Sequence, residues 1–137
     1  MSHHPVRRLT APDGSRASID VQLAPLIKAL WAAGYETIGS CQDLGESLAG
    51  YERKSAYWKG YVLLEMPVGD ACRLIDAVRH TPQFKDRMHW ASDGAWETSV
   101  PVIPFADAQE TWVLPWAQVH FPASQIGDLT DVIREAG

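Results

Sequence analysis

The sequence lacks any long apolar segment. A membrane-spanning helix needs about 20 consecutive apolar residues, and no run here approaches that length; the run at residues 61–64, for example, has only the length of a strand. The first eight residues carry charge, but no hydrophobic stretch follows them as it would in a secretory signal. We therefore expect a cytoplasmic protein that has no membrane among its partners.

Cysteine is also scarce, because the chain contains only Cys41 and Cys72. Disulfides are rare in the cytosol, so two free thiols are expected. The sequence contains neither a C-x-x-C nor an H-x-x-x-H spacing, either of which would bring metal ligands together. A zinc site built from these cysteines and two histidines is therefore not expected, and no cofactor is predicted.

Basic residues are outnumbered, with 12 Lys and Arg against 17 Asp and Glu and a formal net charge of −5. Non-specific binding to nucleic acids depends on neutralising phosphates, so we do not expect it. The spacings typical of phosphate loops, dinucleotide folds, serine nucleophiles and EF-hands are missing as well. No pattern indicates the oligomeric state.

The clearest pattern that is present covers residues 18–43. Apolar residues recur there at helical spacing on one face: Leu23, Leu26, Ile27, Leu30 and Trp31. Asp20 is predicted to cap this helix, with a loose first turn at 20–24 and Pro25 at the first regular position. Gly34 is predicted to end it in the left-handed conformation. A strand at 35–38 should follow and lead into a polar loop that begins at Ser40.

The other segments predict an α+β fold. Residues 5–18 resemble a hairpin with a turn at 12–14, and strands are predicted at 57–66, at 95–103 on an edge or with a bulge, and at 111–121 with a break at Pro115. Asp70 is predicted to cap a helix at 71–80, and Ser124 is predicted to cap the last helix. No internal repeat is evident. We expect one domain, 1–137, folded as a two-layer sandwich: a mostly antiparallel sheet of four or five strands with about three helices on one face.

The loop at 40–46 is the first candidate site, because open α/β sheets usually keep their ligand sites in loops at strand ends. Cys41 is a candidate nucleophile if His80, His89 or His120 lies near it; the alternative is a small, buried and inert residue. Asp43 and Glu46 are candidates for a general base or for hydrogen bonds to a ligand. Asp43 is equally typical of a turn that satisfies backbone amides.

Residues 51–61 are the second candidate. Three cations alternate there with four aromatic residues in an otherwise acidic chain: Arg53, Lys54 and Lys59 with Tyr51, Tyr57, Trp58 and Tyr61. Aromatic rings can stack on a base while cations bind phosphate, so this segment suits an anionic, ring-bearing ligand. A solvated hairpin with ordinary strand aromatics is the alternative.

The pattern Ser-Ile-Asp, Pro-Leu-Ile and Tyr-x-Thr-x-x-Ser-Cys, here residues 18–41, resembles the opening of the wybutosine-synthesis methyltransferase family, which acts on a modified guanosine in tRNA. It also resembles a broad group of small proteins from actinobacteria and their phages that share a Ser-Cys-Gln loop. The methyltransferases have Ser-Gly-Arg after the cysteine, whereas Gln42 follows it here. The resemblance therefore implies a scaffold and ligand-facing positions for Ser40, Cys41 and Gln42, without implying a reaction.

Three functions follow as hypotheses. The first is a small protein of phage or mobile-element type that binds a nucleotide-like molecule: Ser40, Gln42 and Asp43 bind polar edges, Tyr57 or Trp58 stacks, and Arg53 and Lys59 bind phosphate. The second is a module that binds a host protein, or an inhibitor of a host enzyme, with Trp90, Trp96 and Trp116 as exposed anchors. The third is an enzyme that uses Cys41 as its nucleophile or carboxylates as acid and base.

Overall fold

The computed structural model describes residues 5–41, 60–88, 94–100, 102–104, 111–113 and 115–136. The chain begins with a hairpin of β1 (Val6–Thr10) and β2 (Arg16–Asp20), as the sequence predicts. A 3-10 turn, Val21–Leu23, leads into α1 (Ala24–Ala32), in which Pro25 occupies the second position. The loose first turn is therefore confirmed.

The ends of α1 confirm one predicted signal and correct another. Gly34 has a φ of +88°, and the amide of Tyr35 donates to the carbonyl of Leu30 at 2.9 Å, so the helix ends in the left-handed conformation as predicted. Asp20 makes no side-chain capping bond. It is the last residue of β2 and pairs with Val6 in the hairpin, so its place is set by strand pairing.

The strand predicted at 35–38 lies further along the chain, because β3 covers Gly39–Cys41. Its partner sets this position. The amide of Ile38 donates to the carbonyl of Glu65 at 2.6 Å, and Gly39, Ser40 and Cys41 then pair with β4. Ser40 and Cys41 are therefore strand residues and do not belong to a loop beyond the strand.

The middle of the chain forms β4 (Tyr61–Pro67) and α2 (Val68–Arg79). Ala71, Leu74 and Val78 are buried on the inner face of this helix. Asp70 was expected to cap it but lies in its first turn, because the helix begins directly after Pro67. The Asp70 carboxylate instead binds the backbone amide of Glu36, which belongs to a different part of the chain.

The last third contains β5 (Glu97–Ser99), the two strands β6 (Val102–Pro104) and β7 (Thr111–Val113) of a separate hairpin, and β8 (Trp116–Pro122). The predicted interruption at Pro115 therefore separates β7 from β8. Ser124 lies within a 3-10 turn, Ala123–Gln125, and does not precede it as a cap. The final helix, α3 (Ile126–Ala136), buries Leu129, Val132 and Ile133 as predicted.

The main sheet has the strand order β3-β4-β8-β5, and every pairing in it is antiparallel. Val62, Leu64 and Met66 of β4 are buried with alternate residues of β8, and the three helices add their apolar faces to the same core. The predicted α+β sandwich with a four-stranded antiparallel sheet is confirmed. Among the helices that the structure describes, none is long and apolar enough to cross a membrane.

Two parts of the fold share one plan that the sequence reading missed. β4 and β8 each have seven residues, each ends at a proline, and each is followed at once by helical structure. The two units lie 55 positions apart, and four aligned pairs are identical: Pro67 and Pro122, Leu74 and Leu129, Asp76 and Asp131, and Arg79 and Arg134. β4 and β8 also pair with each other, which relates the two units by an approximate two-fold axis.

Candidate functional site

The structure places only part of the predicted site. Ser40 is half-buried in β3, and Cys41 is the last residue of that strand, paired with Leu63. The other predicted site residues lie outside the described part of the chain: Gln42, Asp43, Glu46, Arg53, Lys54, Tyr57, Trp58 and Lys59. Ser40 therefore marks where the predicted site begins.

Ser40 lines a cleft of about 530 Å³ that we call the hairpin cleft. One wall is the β1–β2 hairpin, represented by Asp13, Ser15 and Ala17. The other wall is the stretch from Gly34 to Ser40, together with Trp31 of α1. A volume of this size lies within the range of small-molecule sites in proteins.

The hairpin wall is built around Asp13. Its Oδ1 accepts hydrogen bonds from the amide of Ser15 at 2.9 Å and from the Ser15 hydroxyl at 2.6 Å. These two bonds, the side-chain one first, hold the pKa of Asp13 below its ordinary value. Gly14 has a φ of +89°, which the tight turn requires. The sequence of the turn thus fixes a negative charge at the edge of the cleft.

Three hydrogen bonds fix the opposite wall. The indole Nε1 of Trp31 donates to Oγ1 of Thr37 at 3.0 Å, and the amide of Glu36 donates to Oδ2 of Asp70 at 2.8 Å. The amide of Ile38 is held by β4, as described above. This stretch has no regular structure before Gly39, so these long-range bonds determine its path.

Asp70 is the anchor of that wall. Arg73 donates to its Oδ1 at 2.8 Å, and this bond, followed by the bond from the Glu36 amide, lowers the pKa of the carboxyl group. The Arg73 guanidinium also lies 4.9 Å from the centre of the Tyr35 ring. The Tyr35 ring is therefore in contact with α2 through the Arg73 guanidinium.

Gly39 of β3 leaves space for the Glu65 side chain of β4. A Cβ atom placed on Gly39 would lie 2.9 Å from Oε1 of Glu65, a carboxylate of the neighbouring strand. Any larger residue would force that side chain to move. The cleft wall can approach the sheet at this point because there is no side chain in the way.

The charges of the hairpin cleft have one sign. Asp13 and Glu36 line it, and its described lining includes no Lys or Arg. Ser15, Thr37 and Ser40 add hydroxyl groups, while Trp31 and Tyr35 add half-buried aromatic surface. Such a lining favours a ligand with a flat apolar body and hydrogen-bond donors at its edge.

The backbone register relates Cys41 to His120, one of the three histidines named as its possible partners. Both belong to one row across the sheet, but Leu63 of β4 lies between them, so their Cα atoms are roughly 10 Å apart. His120 is 5% exposed, and its burial lowers its pKa against the smaller opposing effects of Glu97 and Glu65. His80 follows α2, in the helix layer, and His89 lies outside the described residues.

Of the three proposed tryptophan anchors, Trp96 is not exposed. It is 8% accessible, its ring stacks on Phe121 at 4.9 Å, and its Nε1 donates to Oε1 of Gln125 at 2.7 Å. It therefore belongs to the core. Trp116 is half-buried, and Trp90 lies outside the described residues.

Sequence reasoning missed one whole wall of the cleft. The turn at Pro12, Asp13 and Gly14 was recognised as a turn, but no local pattern brings it opposite Thr37. The contact between β2 and β3 brings the turn to that position. The one available signal was the hydrogen-bonding set Asp13 and Ser15, which is equally typical of any tight turn.

In the described part of the chain, no three His, Cys, Asp or Glu side chains lie close enough together to hold a metal ion. Comparisons with known protein families, with curated protein sequences and with solved structures find no match to this chain. The geometry of the cleft is therefore the basis for a functional proposal.

Proposed function

We propose that this protein binds a nucleotide-like small molecule in the hairpin cleft. The observation that supports the proposal is the cleft itself, a cavity of about 530 Å³ that reaches Ser40, the residue at which the predicted binding loop starts. The proposed cellular setting, a cytoplasmic protein of phage or mobile-element type, remains a prediction from the sequence.

The base of the ligand would lie in the cleft. Exocyclic amino groups of a nucleobase are hydrogen-bond donors, which the carboxylates of Asp13 and Glu36 can accept. Trp31 and Tyr35 offer the flat apolar surface on which such a ring can pack. The hydroxyl of Ser40 can serve as donor or acceptor at the end of the cleft next to the predicted loop.

The phosphate would lie outside the described lining, since that lining contains two carboxylates and no Lys or Arg. Arg73, beside Tyr35, is already bonded to Asp70. The cations proposed for phosphate are Arg53 and Lys59, with Tyr57 or Trp58 stacking on the ring and Gln42 and Asp43 binding polar edges. These roles remain predictions from the sequence.

Ligand-induced thermal stabilisation tests the proposal. A ligand present at 100 times its Kd stabilises the native state by about 2.7 kcal/mol, so the melting temperature should rise and saturate with one member of a panel of bases, nucleosides and mono-, di- and cyclic nucleotides. If none of them raises the melting temperature, the proposal is wrong.

Variants locate the site. Ser40→Ala and Glu36→Gln should each weaken binding about fivefold or more, because the first removes a hydroxyl group of the lining and the second replaces a charged, accepting carboxylate by a neutral amide. Glu135→Gln removes the same charge from an exposed position of α3 and should leave the affinity unchanged. An equal loss in all three variants would place the ligand elsewhere.

No specific observation among the described residues supports the interaction hypothesis or the enzyme hypothesis. The buried position of Trp96 removes one proposed anchor from the interaction hypothesis. Both hypotheses otherwise rest on residues outside the described part of the chain.

A further inference from the structure

A second cavity, of about 440 Å³, lies between the end of α2, the turn segment 81–88 and the edge strand β5. We call it the edge pocket. Its apolar lining consists of Ile75, Phe84, Met88 and Trp96, and Phe84 is completely buried. Thr98 of β5 completes the lining at the edge of the sheet.

The surroundings of this cavity depart from the approximate two-fold symmetry. On the outer side of α3, helix α1 packs against the sandwich. The equivalent position beside α2 is occupied by the turn segment, in which Phe84 packs edge-on against Trp96 with ring centres 6.0 Å apart. The edge pocket lies between this segment, the end of α2 and β5.

The charged part of the lining is entirely basic. Arg79 and Lys85 are the charged residues, His80 accepts a hydrogen bond from Nε of Arg79 at 3.2 Å, and none of the described residues that line the edge pocket is acidic. The sign of the charge in this lining is opposite to that in the hairpin cleft. It is also opposite to the formal net charge of the protein, which is −5. The position of Arg79 and His80 at the end of α2 also suits the helix dipole. Lys85, which lies in the turn segment after the helix, does not have that explanation.

The acidic group that pairs with Arg79 is Asp76, and it competes little for this cation. Asp76 lies 3.4 Å from Nε of Arg79 and 3.8 Å from Nε2 of His80, and its side chain is 72% exposed. Ion pairs this exposed contribute little free energy because water screens them. An incoming anion can therefore bind Arg79 without breaking a strong pair.

We propose that the edge pocket binds a small organic anion with an apolar, ring-sized body, separately from the ligand of the hairpin cleft. The body packs on Phe84, Met88 and Trp96. The anionic group, a carboxylate or a phosphate, lies at the mouth and accepts hydrogen bonds from Arg79 and Lys85.

NMR titration with matched probes tests this proposal. The probes are 2-naphthoate, the neutral 2-naphthamide, the cationic 2-naphthylmethylammonium and acetate, which has the charge but no ring. We expect 2-naphthoate to shift the Trp96 indole and Met88 methyl resonances saturably while leaving those of Thr37 and Ser40 in place. The affinity of the amide should be about tenfold lower than that of 2-naphthoate. The affinities of the cation and of acetate should be lower still.

Phenyl phosphate serves as a further arm that distinguishes the two anionic groups. Saturable binding of either anion supports the proposal, and the tighter one identifies the head group. If neither anion shifts Trp96 and Met88, or if 2-naphthamide binds as tightly as 2-naphthoate, the proposal is wrong.

Charge variants provide the second test. Lys85→Gln and Arg79→Gln should each weaken 2-naphthoate binding about threefold to tenfold and leave 2-naphthamide binding unchanged. Lys28→Gln removes the same charge from an exposed position of α1 outside both cavities and should change neither affinity. Both pocket variants alter exposed side chains, so the fold can be checked in the same spectra. Unchanged 2-naphthoate affinity in both variants would overturn the assignment.

Discussion

Leu64 and Val119 face each other across the central strand pair, and each occupies the middle position of its strand. Both side chains are completely buried, and the residues are 55 positions apart, the same spacing that relates the two strand–helix units. The approximate two-fold axis of the fold therefore passes between them. Each of these strands has a helix after it, so their buried faces form the centre of the sandwich.

The two cavities are departures from that symmetry. The hairpin cleft exists because the N-terminal hairpin and α1 have been added to the β3 side of the sandwich. The edge pocket lies on the β5 side, where the turn segment 81–88 follows α2. Their charges are opposite, so ligands of different chemistry are expected in the two places.

Asp70→Ala should lower the free energy of unfolding by about 1–2 kcal/mol, because the amide of Glu36 and the guanidinium of Arg73 both lose their partner. Asp76→Ala, in the same helix but with a 72% exposed side chain, should change it by less than about 0.5 kcal/mol. Urea denaturation measures both. Equal effects would mean that the Glu36–Asp70 contact does not stabilise the cleft wall.

The contribution of Asp70 should also depend on pH. Its pKa in the folded state is lowered, chiefly by the hydrogen bond from Arg73. Its stabilising effect is therefore fully present above the ordinary value of 3.8 and disappears as the pH falls through the lowered pKa. The difference in stability between the wild type and Asp70→Ala should shrink over that acidic range, and a constant difference would contradict the assignment.

Gly34→Ala should destabilise the protein by about 1–2 kcal/mol, since a residue with a Cβ atom is strained at a φ of +88°. Gly69→Ala provides the matched control, because Gly69 lies inside α2 and a Cβ atom there meets no other atom within 4 Å. That substitution should stabilise the protein by up to about 1 kcal/mol. If the denaturation midpoints of both variants move in the same direction, the left-handed conformation of Gly34 at the end of α1 is contradicted.

His120 should make the protein less stable as the pH falls below neutrality. Burial lowers its pKa in the folded state, so the unfolded chain binds a proton at a higher pH than the native protein does. The stabilising contribution is fully present above the ordinary value of 6.5 and is lost as the pH falls toward the lowered folded value. The slope of stability against pH below 6.5 should be smaller in His120→Gln. An unchanged slope would show that another group is responsible.

Cys72 is a free and exposed thiol on α2. We expect it to react with a disulfide reagent in the native protein, and Cys72→Ser should remove the contribution of this thiol to the reaction. The reaction rate that remains in Cys72→Ser then reports on Cys41 alone. Fast alkylation near pH 7 in that variant would support the nucleophile hypothesis, and reaction only after unfolding would contradict it.

Local sequence patterns determined the elements whose signals lie within a few residues of each other. The inner faces of α2 and α3, the hairpin at the start, the stop at Gly34 and the break at Pro115 all follow from hydrophobic period, backbone freedom or the missing amide of proline. Each of these properties belongs to the residue and its immediate neighbours. The α+β class follows from their order along the chain.

Only the tertiary structure decided where β3 begins, that Asp70 binds the Glu36 amide instead of capping its own helix, and that Trp96 lies in the core. It also decided that Asp13 lies across a cleft from Thr37 and that Arg79 and Lys85 share a cavity with Trp96. The physical reason is the same throughout: these contacts join segments far apart in the chain. Hydrogen-bond partners and packing across such separations are chosen by the whole fold and leave no local period in the sequence.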